Sequence, residues 1–292
     1  MKTKEGARYI FFGTPRFAEI VLGGLIDAGF VPAALVCNPD RPLGRKKIVT
    51  PPPTKQLIEK LAAQRNDENI VVLQPEKLDD SFITTLRALQ PDFFVVAAYA
   101  KIIPSTVLAI PRLGTLGTHP SLLPAYRGAS PIQSVILAGE TKTGSTIYAM
   151  DEKMDHGTIF AQKEVPLDAL TTNYLALEAQ LATLSAQLLI KTIPTLLDGT
   201  ATPRIQDESR ATFTKKFSTE NGFIKDTELD AAIAGNSDKA ELIVRTIHAF
   251  NPEPSCWTIQ NGKRIKLLEA RMNGEALRLI IIQEEGQRPK QL

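Results

Sequence analysis

Two short segments of this 292-residue sequence concentrate side chains that can move protons. The first, GTLGTHPSLLPAYRGASPI at 114–132, opens with a strand-like run that ends in His119, and the second, MDEKMDHG at 150–157, contains Asp155. A lone histidine is more often a packing residue. A histidine at a strand end beside a carboxylate, however, can exchange protons near neutral pH while the carboxylate fixes its tautomer and orientation. The two segments together predict a reaction centre.

The elements around these segments follow the pattern of an α/β, doubly wound, mainly parallel sheet of the Rossmann-like type. Short β-branched or aromatic runs alternate with helical ones. Strands are predicted over 9–12, 32–37, 70–73, 93–97, 115–119, 144–150 and 158–165, and helices over 17–28, 54–62, 79–89, 131–138 and from about 173. Ligands of open α/β sheets bind at the carboxyl ends of the strands, so His119 is expected at the ligand edge.

The hydrophobic periodicity stops after the long helix, which predicts two domains. We expect a catalytic domain over 1–197, a linker over 198–216 and a small β-rich domain over 217–292. In the β-rich domain, Asp238 and Glu241 resemble a capping box at the start of a helix over 238–249. Strands are predicted over 255–260, 264–270 and 276–282, with an Asn261-Gly262 hairpin and a frayed tail from Gln283. Because a five-stranded oligonucleotide-binding barrel needs more strands, an abbreviated barrel is expected.

Composition excludes several classes of protein. With 43% hydrophobic and 23% charged residues the chain has globular proportions. Cys37 and Cys256 are the only cysteines, and no histidine lies near them at metal-ligand spacing, so neither a disulfide scaffold nor structural zinc is expected. The sequence shows no signal-peptide pattern at its start and no apolar run of membrane-spanning length, which favours a cytoplasmic protein. The single glycine in FGTP, at Gly13, disfavours a dinucleotide-binding turn.

Positive charge is concentrated near the start of the chain. Residues 1–55 contain nine Lys or Arg against four Asp or Glu, although the formal net charge of the whole chain is only +2. Arg41, Arg45, Lys46 and Lys47 crowd into one loop, where they could meet phosphates. The alternative interpretation is a solvated loop with no partner.

Taken together, these motifs resemble the formyltetrahydrofolate-dependent formyltransferases. His119, the Ser-Leu-Leu-Pro run and Tyr126-Arg127-Gly128 follow one another as in that family's signature, and Asp155 matches its catalytic aspartate. The resemblance implies catalytic roles for His119 and Asp155. It implies folate binding by the residues after the fourth and fifth strands, namely Ala98, Tyr99, Ala100, Ser121, Leu122, Leu123 and Pro124.

Within this family, the resemblance is to members that act on initiator methionyl-tRNA. The NPDRPLGR loop at 38–45, with PPP at 51–53 and Lys55 after it, resembles their tRNA-acceptor loop, and Phe250-Asn251-Pro252 with Trp257 resembles the start of their C-terminal barrel. This implies formyl transfer from N10-formyltetrahydrofolate to the methionyl amine by a monomer without a metal. It implies tRNA contacts by Arg41, Arg45, Lys46 and Lys47.

Gly117 departs from the family pattern, which has a catalytic asparagine two residues before the histidine. Losing one preorganised oxyanion donor costs on the order of 10² to 10³ in rate, so Gly117→Asn is expected to restore activity. An opposing effect arises if neighbouring residues have filled the vacated space, because the added side chain would then overpack the site at a cost of about 1 to 3 kcal/mol. Two alternatives stay open: a sugar N-formyltransferase acting on a nucleotide-linked amino sugar, whose acceptor loop should lack the basic run at 40–47, and a catalytically impaired relative that binds folate or tRNA.

Overall fold

The computed structural model describes residues 6–44, 46–65 and 70–292. These residues form two compact units that interleave along the chain. The first contains Met1–Pro124, Gly144–Lys163 and Ala179–Ala211, and the second contains Ala125–Thr143, Glu164–Glu178 and Thr212–Leu292. The predicted boundaries at 197 and 217 divide the chain into consecutive segments, whereas each compact unit combines three separate segments of the chain.

Strands and helices alternate through the first half of the chain and separate in the second. In chain order the strands are β1 (Tyr9–Gly13), β2 (Ala34–Val36), β3 (Arg41–Leu43), β4 (Ile48–Thr50), β5 (Val71–Leu73), β6 (Phe93–Ala97), β7 (Thr115–His119), β8 (Arg127–Gly128), β9 (Lys142–Ala149), β10 (Ile159–Pro166), β11 (Phe213–Thr214), β12 (Cys256–Gln260), β13 (Lys263–Asn273), β14 (Ala276–Glu284) and β15 (Lys290–Gln291). The helices are α1 (Arg16–Asp27), α2 (Pro53–Arg65), α3 (Asp80–Ala88), α4 (Ser105–Leu108), α5 (Pro131–Ala138), α6 (Tyr174–Leu197), α7 (Asp226–Ile233) and α8 (Ser237–Phe250).

A seven-stranded sheet confirms the predicted α/β class. Its strand order is β10-β9-β7-β6-β1-β2-β5. The pairs β6–β1, β1–β2, β2–β5 and β6–β7 are parallel, whereas β7 pairs with β9 antiparallel. Every residue of β1 and β6 is buried, as expected for parallel strands covered on both faces. Because β6 and β7 are adjacent and parallel, the loops after them share one edge of the sheet.

Gly13 at the end of β1 is required by close packing. A Cβ there would lie 2.6 Å from the Ala18 Cβ and 2.7 Å from the Ala97 carbonyl oxygen. The lone glycine of the FGTP turn therefore serves the approach of β1 to α1 and β6.

The C-terminal sheet has one strand more than the sequence indicated. Its order is β12-β13-β14-β15, with antiparallel pairing throughout. The Asn261-Gly262 hairpin is confirmed, with both residues at positive φ. The prediction of a frayed tail is wrong, because Gln291 in β15 pairs with Ile281 of β14. No helix in the described part of the chain is both long and apolar enough to cross a membrane.

Two local predictions in the C-terminal half need correction. The α8 helix is capped by Asn236, whose side chain accepts a hydrogen bond from the Lys239 N–H at 3.1 Å, so the Asp238 and Glu241 capping box is wrong. The segment expected to be a linker at 198–216 also contains β11, which pairs parallel with β8 through Phe213 and Arg127. Two-residue strands of this kind carry no periodicity in the sequence.

Candidate active site

The structure brings the two predicted reactive side chains together. His119 is the last residue of β7, and Asp155 lies in the loop between β9 and β10. The His119 Nδ1 is 3.6 Å from the Asp155 Oδ2, and the two side chains are only 6% and 15% exposed. That distance suits an ion pair but is longer than a hydrogen bond. At this distance the Asp155 carboxylate can stabilise a positive charge on the His119 imidazole.

The loop that carries Asp155 is fixed by contacts to its backbone atoms. Asp155 has a φ of 49°, in the left-handed region that aspartate tolerates better than most residues. The Gln206 side-chain amide donates to the carbonyl oxygens of Asp155 at 2.9 Å and Gly157 at 2.8 Å. Gly157 also approaches the neighbouring strand closely, since a Cβ there would be 1.8 Å from the Ala149 oxygen. These constraints fix the backbone from which the Asp155 side chain projects.

Tyr148 is a site residue that the sequence reasoning missed. Its hydroxyl donates to the Asp155 Oδ1 at 2.6 Å, and its side chain is buried. The pKa of this phenol is raised well above its ordinary value, mainly by burial and to a smaller extent by the negative charge of Asp155. The hydroxyl therefore stays a donor throughout the physiological pH range. No local motif in the sequence marks this tyrosine.

Gly117 does not leave an open volume in this site. A Cβ at Gly117 would lie 2.6 and 2.7 Å from ring atoms of Tyr148 and 2.9 Å from the Met150 Cγ. The Tyr148 ring thus fills the space that an asparagine side chain would need. Overpacking therefore opposes the new donor in Gly117→Asn, as expected where neighbouring residues fill the vacated space.

The predicted folate-binding residues lie at the carboxyl ends of β6 and β7. After β6, Ala98 and Ala100 are exposed and Tyr99 is buried. Ala98 has a φ of 48°, which is strained for alanine, and such strain is concentrated at functional sites. Burial raises the pKa of Tyr99 to about 12. These residues place a backbone turn at the same edge of the sheet as His119.

The loop after β7 is fixed by hydrogen bonds to β9 and β10. The Thr146 hydroxyl donates to the Ser121 carbonyl at 2.7 Å, and the Gln162 amide donates to the Leu123 carbonyl at 2.9 Å. The Leu123 side chain packs in a core cluster with Tyr148 and Ile159. Leu122 is half-buried, and Pro124 follows a cis peptide bond. The predicted folate contacts of this loop stay predictions.

The hairpin formed by β3 and β4 carries three of the predicted tRNA-binding residues, Arg41, Lys46 and Lys47. Arg41 forms an exposed ion pair with Glu76 at 2.8 Å, and Lys46 and Lys47 are exposed at the turn. Arg45 lies outside the described residues. Three large apolar side chains that the sequence reasoning did not single out are also exposed on this hairpin, namely Leu43, Ile48 and Val49. Exposed cations on this hairpin suit a surface that contacts a polyanion.

The remaining histidines and the cysteines lie elsewhere. The His156 Nδ1 is 2.7 Å from the Asp151 carboxylate, and the His248 Nε2 is 3.2 Å from the Ala270 carbonyl oxygen. Both cysteines are free and buried, and burial raises the pKa of the Cys37 thiol to about 11. Among the described residues, no group of three or more His, Cys, Asp or Glu could hold a metal ion.

A buried histidine beside a carboxylate, at the ligand edge of an α/β sheet, is typical of a group-transfer enzyme. This chain belongs to the formyl transferase family, whose formyl transferase model matches residues 7–193 and whose C-terminal domain model matches residues 229–288. The resemblance of its motifs to the formyltransferases is thereby confirmed.

Several relatives share the name methionyl-tRNA formyltransferase. The one from Chloroflexus aurantiacus is 42% identical over 264 residues, which are 90% of this chain and 79% of the relative. A solved methionyl-tRNA formyltransferase from Clostridium thermocellum covers 95% of this chain and 98% of its own, with a TM-score of 0.58 and 16% identity. HypX from Aquifex aeolicus, solved in complex with tetrahydrofolic acid, covers 98% of this chain but only 46% of its own, with a TM-score of 0.66 and 14% identity. The two structural likenesses concern the fold alone.

Proposed function

We infer that this protein transfers a formyl group from a formyltetrahydrofolate to the amino group of methionine on initiator methionyl-tRNA. The observation that carries this function is the His119–Asp155 pair at the ligand edge of a formyl transferase fold. Relatives at 38% and 42% identity over 90% of the chain are methionyl-tRNA formyltransferases. Acceptor choice follows from that relationship and from the basic hairpin.

The chemistry requires three things of the site. The amine must attack deprotonated, the oxyanion of the tetrahedral intermediate must be stabilised, and the departing N10 must receive a proton. A carbon–nitrogen bond forms to the methionyl amine, the bond from the formyl carbon to N10 breaks, and the proton lost by the amine ends on N10. We assign the proton transfer and the oxyanion contact to His119, with the Asp155 carboxylate stabilising its imidazolium form.

We propose that the cosubstrate is N10-formyltetrahydrofolate and that no metal takes part. The family to which the chain belongs and the tetrahydrofolic acid bound by HypX support a folate. The residues proposed to hold it are Ala98–Tyr99–Ala100 and the loop 121–124. The strained Ala98 backbone follows β6, and the second loop follows β7, where hydrogen bonds hold the Ser121 and Leu123 carbonyls. Both segments are therefore rigid next to His119.

We propose that the acceptor end of the tRNA meets the hairpin of β3 and β4. Lys46 and Lys47 are exposed there, and Arg41 forms an exposed ion pair with Glu76, which is worth little against a phosphate contact. Arg45 is assigned to the same surface from its place in the sequence. We further propose that the protein acts in the cytoplasm and as a monomer, which light scattering during size-exclusion chromatography would check.

An amino-sugar acceptor is not favoured, because the basic run at 40–47 is present and the relatives cover most of the chain. The test is a formylation assay with formyltetrahydrofolate and three acceptors in parallel: initiator methionyl-tRNA, a nucleotide-linked amino sugar and free methionine. Formylmethionyl-tRNA as the product supports the proposal. Formylated sugar would establish the alternative, and folate and tRNA binding without any product would mark an impaired relative.

A further inference from the structure

Gly117 and Tyr148 form a matched pair across two strands. They are direct partners in the antiparallel pairing of β7 with β9. The tyrosine ring lies over Gly117, where any Cβ would come within 2.6 Å of it. An aromatic side chain over a glycine is a stable cross-strand arrangement, because the ring covers backbone that has no side chain of its own.

The ring position sets where the Tyr148 hydroxyl lies. From above Gly117 it reaches the Asp155 Oδ1 at 2.6 Å, while the other carboxylate oxygen, Oδ2, lies 3.6 Å from the His119 Nδ1. The two oxygens of one carboxylate thus have different partners. A hydrogen bond to one oxygen fixes the rotation of the carboxylate and therefore the position of the other.

We propose that Tyr148 is a positioning residue for the formyl transfer, made possible by Gly117, and that it acts by holding the Asp155 carboxylate in the orientation that serves His119. This inference rests on the proposed function and adds a residue to it. Gly117 is then the half of a pair that admits the ring. The negative charge of the oriented carboxylate, 3.6 Å from Nδ1, favours the tautomer of neutral His119 with its proton on Nδ1. Nε2 is then the nitrogen that exchanges protons with the reacting groups.

Burial makes this hydrogen bond effective. Tyr148 is 4% exposed, and the carboxylate it contacts is mostly shielded from water. A hydrogen bond to a charged group in such surroundings is stronger than a neutral one and has little competition from solvent. Removing the hydroxyl while keeping the ring should therefore release the carboxylate without opening a cavity.

The test compares Tyr148→Phe with a matched control, Tyr9→Phe. The Tyr9 hydroxyl is also buried and donates at 2.7 Å, but to the Phe30 carbonyl oxygen away from Asp155. We expect Tyr148→Phe to lower kcat by about ten- to a hundredfold, the equivalent of one hydrogen bond to a charged group, with KM for both substrates unchanged. Tyr9→Phe should keep the wild-type kcat, although it loses stability.

A second variant displaces the ring instead of removing the hydroxyl. Gly117→Ala should push Tyr148 aside and lower kcat to a similar extent, and the double variant Gly117→Ala with Tyr148→Phe should lose little more than either single one. A double variant with fully additive losses would overturn the proposal. Wild-type kcat in Tyr148→Phe, or an equal loss in Tyr9→Phe, would do the same.

A spectroscopic measurement separates this inference from the proposed function. Long-range ¹H–¹⁵N spectra report the tautomer of each histidine, and His119→Gln identifies the resonances of His119. We expect the Nδ1–H tautomer in the wild type and in Tyr9→Phe, and a mixture of tautomers in Tyr148→Phe. This measurement needs no turnover, so it tests the positioning role even if the acceptor is not initiator methionyl-tRNA. An unchanged His119 tautomer in Tyr148→Phe overturns the positioning role, even in an active enzyme.

Discussion

Replacing Gly117 with asparagine adds a hydrogen-bond donor but also overpacks a site that the Tyr148 ring already fills. The asparagine Cβ would lie 2.6 Å from the Tyr148 ring, where ordinary contact begins at 3.4 Å, so the ring must move by about 0.8 Å. Overpacking of this kind costs about 1 to 3 kcal/mol. In a chain of this size that lowers Tm by about 2 to 12 °C. Because the displaced ring takes its hydroxyl away from Asp155, kcat should fall by about ten- to a hundredfold.

The assay measures formyl transfer and thermal unfolding of the wild type and Gly117→Asn side by side. Gly117→Asn combined with Tyr148→Ala is the informative control, since removing the ring makes room for the amide. We expect this double variant to be more active than Gly117→Asn alone. A Gly117→Asn variant that is faster than the wild type and equally stable would refute the reasoning, because it would show that the Tyr148 ring yields at no cost.

Three further predictions concern the charge pair, the hairpin and the folate edge. Asp155→Asn should reduce kcat by at least about a hundredfold in a folded protein, because the amide cannot stabilise an imidazolium on His119; unchanged turnover would remove Asp155 from the mechanism. Arg41→Ala with Arg45→Ala should weaken tRNA binding and flatten its salt dependence while folate affinity stays the same, whereas an unaltered salt slope would make the loop a solvated face. Tyr99→Phe should raise the stability of the ligand-free protein by about 1 kcal/mol, since it removes a buried hydroxyl that has no hydrogen-bond partner among the described residues, and a loss of stability on thermal unfolding would contradict this.

The main sheet could be predicted because parallel strands are buried on both faces. The strands β6 and β7 were predicted at their observed bounds, since Phe93–Ala97 and Thr115–His119 are short, dense runs between turn residues. The order of the strands and the antiparallel direction of β9 depend on packing between distant segments, which periodicity does not encode. The strands β3 and β4 were missed because their hairpin is exposed, so no buried face imposes an alternating pattern.

The site was predicted in part for a similar reason. His119 and Asp155 lie in recognisable motifs, and the fold brings them to 3.6 Å. Tyr148 lies near the end of β9 in a run with no polar motif, so only the pairing register reveals that it faces Gly117. Whether neighbouring residues fill the space beside Gly117 could not be read from the sequence, and the structure shows that the Tyr148 ring does. Densely packed interiors seldom leave such a volume unfilled.

The most direct test of the account is a single-turnover transfer of labelled formyl from formyltetrahydrofolate to initiator methionyl-tRNA. It is run with the wild type, with His119→Gln and with the buried-tyrosine control Tyr9→Phe. We predict that label appears on the tRNA with the wild type and Tyr9→Phe, and at least about a hundredfold more slowly with His119→Gln. A wild type that binds both substrates but transfers no label, or a His119→Gln variant as fast as the wild type, would contradict the assignment of formyl transfer to this site.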